Sequence, residues 1–299
     1  MVYLNKLYRT SYFPLYFTLL VYLSLIWLQG FSSALYQIVS EFQIALTMVF
    51  GSFVAGGTAL GGGAVAFPIM TKVLNIEPYT AKVFSLAIQS FGMTAAALTI
   101  ISRGIPYYRR EVLVALPMSA VGIALSLIIL APIVESTIVK AIFSFLLLCF
   151  AITMIYRIRG KLHHQVTCFS IQPKKRQIMM VALIGGIASG LVGSGSDIIL
   201  FAFLVIFCHA DMKKATATSV IVMAFVSVLG SVINAWHLNV IDHQIQGYLL
   251  AAIPIVVIGA PLGAYVCSKV SVGQLVSFLL LLIAAEVGST SYHIYLHYH

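Results

Sequence analysis

Between residues 12 and 289 the chain alternates long apolar stretches with short clusters of charge, and this alternation restricts the fold more than any other feature. Only 8% of the residues are Asp, Glu, Lys or Arg, 61% are hydrophobic, and the mean hydropathy is +1.04. A soluble core of this size needs a charged shell that such a composition does not supply, whereas a helical bundle in a bilayer needs none. The chain therefore reads as an all-α polytopic membrane protein. Its formal net charge of +9 comes from Lys and Arg beside the apolar stretches rather than from a stripe on one soluble face. That pattern fits lipid headgroups and topology signals and implies no nucleic-acid partner. The four cysteines, Cys149, Cys168, Cys208 and Cys267, show no CxxC pairing. Neither a disulfide framework nor a metal site follows from them, and no cofactor is expected.

Stretches of bilayer-crossing length occur near residues 12–29, 79–102, 111–134, 137–157, 214–236, 246–268 and 271–289, which predicts about seven full spans. Two further apolar regions are interrupted by small residues. Region 42–74 is broken at Gly61-Gly62-Gly63, and region 177–208 at Gly193-Ser194-Gly195-Ser196. The arm of roughly 11 residues after each break covers about half of a ~30 Å hydrocarbon core at ~1.5 Å per residue. Each region is expected to be a broken or re-entrant hairpin that enters and leaves on one side.

With hairpins there, one orientation gathers the basic clusters on a single side: Lys6 and Arg9, Arg103 with Arg109 and Arg110, the run from Arg157 to Arg176, Lys213 with Lys214, and Lys269. The opposite side receives His237, Asp242, His243 and the His-rich tail, together with isolated Lys72, Lys82 and Lys140. A single kinked crossing at each region would scatter the clusters over both sides. The expected organisation is an N-terminal segment and extra helix (1–41), a first repeat (42–157), a basic linker (158–176), a second repeat (177–289) and a tail (290–299). The first helix follows Lys6 and Arg9 and precedes Ser32-Ser33-Ala34, as a signal peptide would, but its apolar run is long for one and reads as an uncleaved anchor.

The two halves echo one another. "AKVFSL" (Ala81 to Leu86) and "ATATSV" (Ala215 to Val220) share Ala-x-x-x-Ser spacing, and the same offset places Gly61 on Gly195. "LPMSAVG" (Leu116 to Gly122) is similar to "IPIVVIG" (Ile253 to Gly259). Each half has an odd number of crossings, so the halves have opposite orientation: an inverted-topology repeat, a plan that places substrate near the midplane at the repeat interface. "LGGGAVAFPIM" with "AKVFSLAIQS", "GLVGSGSDIIL" with "ATATSVIVMAF", and "IPIVVIGAPLGAYV" together resemble the sulfite exporter TauE/SafE family over about residues 42–289. The resemblance implies export or import of sulfite, sulfonates or related small organic anions across a prokaryotic cytoplasmic membrane. In the second half the chain departs from the family pattern of three glycines and a proline: Gly195-Ser196-Asp197 and Ala202 stand there instead.

Non-helical backbone inside a bilayer costs several kcal/mol per unpaired group and persists only where protein or a wet cavity satisfies it. Gly61, Gly62, Gly63, Gly193, Ser194, Gly195 and Ser196 are therefore expected to line a cavity for an anion, facing the positive ends of the helices that start after each break. Glycines that merely let helices pack closely are the alternative. Ser85 and Gln89 share one helix face at i and i+4, and Thr218 and Ser219 hold the matching place in the second half; all four are candidate substrate donors, against the alternative of bonding to their own helix. Lys82 either attracts anions at the outer mouth or snorkels. Asp197, a carboxylate at a hairpin tip, either caps its helix or serves as a proton-coupling site whose ionised form repels the anion.

Two other function classes compete. An intramembrane protease needs a base or a second acid near Ser194, Ser196 and Asp197, yet the histidines fall in loops or span ends and Glu286 lies near the end of the last span, so no enzyme is expected. A passive anion channel uses the same helix dipoles, and saturable, pH-dependent flux distinguishes a transporter from it. The orientation itself is testable. Reporters active on only one side of the membrane, fused at Lys161 and after His299, are expected to give opposite signals, and equal signals would exclude seven net crossings.

Overall fold

The fold comes from a computed structural model that describes residues 12–159 and 175–271, with scattered positions between 273 and 288. Lys6, Arg9, most of the basic linker and the His-rich tail lie outside the described residues, and the 271–289 stretch falls only partly within them. No strand occurs among the described residues. The helices are α1 (Phe13–Gln29), α2 (Phe31–Ser40), α3 (Phe42–Gly57), α4 (Gly63–Pro68, continued by a π turn Ile69–Val73), α5 (Pro78–Ser102), α6 (Arg109–Leu125, continued by a π turn Ser126–Leu130) and α7 (Ser136–Arg159). They are followed by α8 (Lys175–Val192), α9 (Ser196–Ile206), α10 (Met212–Val232, continued by a π turn Ile233–His237) and α11 (His243–Lys269).

Among the described residues, five helices are long and apolar enough to cross a membrane: Pro78–Ser102, Arg109–Leu130, Lys175–Val192, Met212–His237 and His243–Lys269. Four coincide with expected full spans. The fifth, α8, is the leading arm of the second interrupted region, so that arm is longer than a half-helix. The trailing arms agree with expectation: α9 has 11 residues, and α4 with its π turn joins 6 and 5. Both regions double back. The Ser196 N–H donates to Ser189 Oγ at 2.8 Å, and a Cβ on Gly185 would lie 3.0 Å from Ser196 Cα. In the first region, a Cβ on Gly62 would lie 3.2 Å from Ala55 Cβ and one on Gly51 would lie 3.7 Å from Val65 Cβ.

The repeat is visible in backbone detail. Asn75 and His209 both adopt left-handed conformation, with φ of 53° and 52°. Beside them the Ile76 N–H donates to Met70 O at 2.8 Å and the Ala210 N–H to Leu204 O at 2.9 Å, each pair one repeat apart. The two helices that follow, α5 and α10, are antiparallel: Ser231 Oγ donates to Leu86 O at 3.2 Å, while the Tyr108 N–H, beyond the other end of α5, donates to Thr218 Oγ1 at 2.9 Å. Asp211 and Asp242 cap α10 and α11 by accepting from Lys214 N–H at 3.0 Å and Ile245 N–H at 2.8 Å.

Each half packs its hairpin on the other half. A Cβ on Gly263 of α11 would run into the Phe53 carbonyl of α3, and one on Gly122 of α6 into the Leu183 carbonyl of α8. Small residues are the means by which membrane helices approach this closely, because lipid offers no hydrophobic gain for coarser packing. Polar side chains such as Ser85, Gln89, Asp197 and Thr218 are buried, while Leu20, Leu23, Phe145 and Ile152 face outward. Apolar side chains thus cover the outside as well as filling most of the core, which suits a lipid surround. Outside the repeat, α1 docks on α11 through Thr18 Oγ1 donating to Val257 O at 3.2 Å and the Tyr22 hydroxyl donating to Pro254 O at 2.7 Å. It bends by 98° into α2 at Gly30.

Because both crossings rest on absent side chains, Gly263→Val and Gly122→Val are each expected to destabilise the protein by about 1–3 kcal/mol. The effect should appear as a lowered unfolding temperature of purified protein in detergent, and an unchanged one would place the helices farther apart than described.

Candidate functional site

The tips of the two hairpins meet. Ser194 Oγ donates to Leu60 O at 3.4 Å, and these residues stand 134 positions apart, one repeat length, so the contact lies on the pseudo-symmetry axis. Around it the backbone approaches too closely for side chains. A Cβ on Gly61 (φ +69°) would stand 2.5 Å from Asp197 Oδ2, 3.0 Å from Gln89 Oε1 and 3.1 Å from Ser194 Oγ. One on Gly63 would stand 2.6 Å from Ser85 Oγ, 2.8 Å from Ser194 Cβ and 2.9 Å from Gln89 Nε2. One on Gly193 (φ +85°) would stand 2.7 Å from the Lys82 carbonyl. Positive φ and close approach both select glycine at these places.

Gln89 ties the halves together. Its Nε2 reaches Gly193 O at 2.9 Å, Ser85 O at 3.1 Å and Ser85 Oγ at 3.2 Å, while its Oε1 is buried without a partner. Asp197 is fully buried. Its Oδ1 accepts from the Ile198 N–H at 3.0 Å, and Oδ2 has no partner. The residue is not the N-cap of α9: Gly195 holds that position, with φ of 154°, and the first N–H of the helix is taken by Ser189 Oγ. Asp197 instead sits in the first turn, where the helix dipole favours a negative charge. Its carboxylate thus occupies part of the anion-attracting end that α9 presents.

The predicted residues divide. Gly61, Gly63, Ser85, Gln89, Gly193, Ser194 and Asp197 converge on one place. Gly62 packs within its own hairpin against Ala55. Gly195, the N-cap, packs on Ala188 of its own hairpin, and the Ser196 hydroxyl is buried without a partner above Gly185 of α8. Thr218 Oγ1 donates to Lys214 O at 2.7 Å and receives the Tyr108 N–H, which occupies it at the far end of α5. Ser219 Oγ donates to Thr216 O at 3.0 Å. Lys82 is buried, with Nζ 4.7 Å from the Tyr79 ring centroid, so it does not snorkel. Sequence reasoning missed Ser189, whose hydroxyl fixes the start of α9. Nothing in its local pattern distinguishes it from other small residues of α8.

Residues 44–288, most of the chain, match the family model of the sulfite exporter TauE/SafE. The chain belongs to this family. No curated protein and no solved structure matches it significantly. Membership, with the apolar helices, makes the chain a multi-pass membrane transporter of a family described as sulfite exporters, and the converging hairpin tips are the candidate site in this TauE/SafE protein.

Gly63 separates a site role from a packing role. Gly63→Ala puts a methyl group into Ser85, Ser194 and Gln89 and is expected to reduce sulfonate flux about tenfold or more, a loss of roughly 1.4 kcal/mol or more in occupancy. Gly62→Ala, whose methyl meets chiefly Ala55 of its own hairpin and touches Gln89 Cγ only at an ordinary van der Waals distance of 3.9 Å, should reduce it far less. Flux into proteoliposomes, normalised to protein content, measures both, and equal effects would assign the tips to packing alone.

Proposed function

We propose that this protein carries a small sulfur oxyanion, sulfite or a sulfonate, through the meeting point of the two hairpin tips, and that the anion enters only when Asp197 carries a proton. The supporting observation is a pair of buried oxygens without partners, Asp197 Oδ2 and Gln89 Oε1, which lie 2.5 Å and 3.0 Å from the same point beside Gly61. Two acceptors facing one point repel each other unless a proton or cation lies between them. A proton on Asp197 lets its carboxyl donate toward Gln89 and removes the negative charge from the end of α9. The starts of α4 and α9, with the Ser85 hydroxyl beside them, then face the anion with their positive ends. Deprotonation restores the internal carboxylate, which competes for the same place and drives the anion out.

In this reading Gly61, Gly63, Ser85, Gln89, Gly193 and Ser194 form the site, and Asp197 couples it to protons. The membrane is the cytoplasmic membrane of a prokaryote, with the N-terminus and the basic linker inside and the C-terminus outside, as the basic clusters suggest. A small anion and the surrounding lipid are its partners.

The sign of the pH dependence follows directly. Protonation permits occupancy, so flux is highest at acidic pH and falls as pH rises. Asp197→Asn keeps the shape and a hydrogen-bond acceptor but does not titrate, so its flux should be nearly independent of pH. The measurement uses proteoliposomes and a sulfonate, whose own charge stays constant across the range. A wild-type pH profile retained in Asp197→Asn would reduce Asp197 to a structural role.

A further inference from the structure

A separate cavity of about 320 Å³ opens at the inner ends of α5, α10 and α11, on the side that carries Arg109, Arg110 and Lys175. Arg103, just beyond α5, and Lys213, in the first turn of α10, line it together with Thr216 and Ser268. No Asp or Glu is among its lining residues. Both cations are held in place without being neutralised. Arg103 lies 5.4 Å from the centroid of the Tyr265 ring. Lys213 Nζ donates to Ser268 O at 2.8 Å, which leaves two of its three protons for another acceptor. Gly56 and Gly57, the last two residues of α3, also line it, four residues before the first break at Gly61. Two unneutralised cations in a concave, low-dielectric wall concentrate anions there.

We propose that this cavity is a loading site for a sulfonate or sulfite group, held between Arg103 and Lys213 before the anion reaches the tips. The identity of the cargo rests on the function proposed above, but the site is physically separate and can be tested without transport. Arg103 and Lys213 are interfacial enough for a phospholipid phosphate, chemically a similar oxyanion, to be the other source of the bound group. In a cysteine-free background, Ser268→Cys places a thiol on the wall. Its reaction with a sulfonate-bearing methanethiosulfonate is compared with that of a trimethylammonium-bearing one in inside-out vesicles, each rate relative to a free thiol. The anionic reagent should be favoured about tenfold or more. Added methanesulfonate should slow it, and Arg103→Gln with Lys213→Gln should abolish both effects. The same preference should persist in Gly63→Ala even where flux is lost, which separates failure of the tip site from failure of this one. No reaction with either reagent, or a preference unaffected by the double substitution, would overturn the proposal. So would anionic preference that emerges only when detergent replaces the phospholipid, because a lipid headgroup would then hold the cations.

Discussion

Backbone that leaves the helix inside a bilayer has no water to turn to, so its N–H and C=O groups must be satisfied by the protein itself. In this molecule each break is satisfied partly by its own hairpin and partly by the other half. The Leu60 N–H turns to Thr58 Oγ1 at 3.2 Å and its carbonyl to Ser194; the Gly193 carbonyl is taken by Gln89, and the Ser196 N–H by Ser189. Neither hairpin completes this set alone, because Ser194 and Gln89 belong to opposite halves. The interlocking of the halves, with each hairpin packed on the other half's helix, is thus the arrangement that makes the breaks affordable. The glycine crossings at Gly122 and Gly263 bring the backbones close enough for it.

The same requirement explains why the centre of the molecule is polar. Side chains that complete broken backbone must be donors and acceptors, and once they are buried any one left over becomes costly or useful. Gln89 spends its amide protons on structure and leaves Oε1 over; Asp197 spends Oδ1 on its own helix and leaves Oδ2 over. The repeat makes this asymmetric. Asp197 is one repeat from Gly63, so the place that holds a carboxylate in one half holds no side chain in the other. In the proposed mechanism that asymmetry turns a two-fold anion cradle into one that a single proton can open.

Much of the convergence at the tips is legible in the sequence because it depends on local chemistry. Three glycines in an apolar run, an acid among glycines, and Ser85 and Gln89 one turn apart each point to irregular backbone or to a shared helix face without reference to any partner. The candidate residues that lie away from the tips, or in another local role, are those whose partners come from elsewhere. Thr218 has the right spacing after its break, yet it faces the Tyr108 N–H, a contact created by the antiparallel pairing of α5 and α10. Gly62 stands between two site glycines but turns toward Ala55, since successive positions at the start of a helix point in different directions. Asp197 was readable as a cap, but Gly195 holds that position because the turn needs its unusual φ there.

The sequence by itself determined that this chain lives in a membrane, where its two breaks fall, that the trailing arms are too short to cross, and that its halves repeat. These follow from apolar length, from glycine and from offset, which are properties of the chain read along one line. Only the tertiary structure decided which glycines face the other half, that Gln89 bridges the halves, that Asp197 and Gln89 point unpaired oxygens at one place, and that Arg103 and Lys213 share a cavity. Those facts depend on which surfaces of two inverted units are brought together. Sequence spacing fixes the face on which a residue lies, but only packing decides what that face meets.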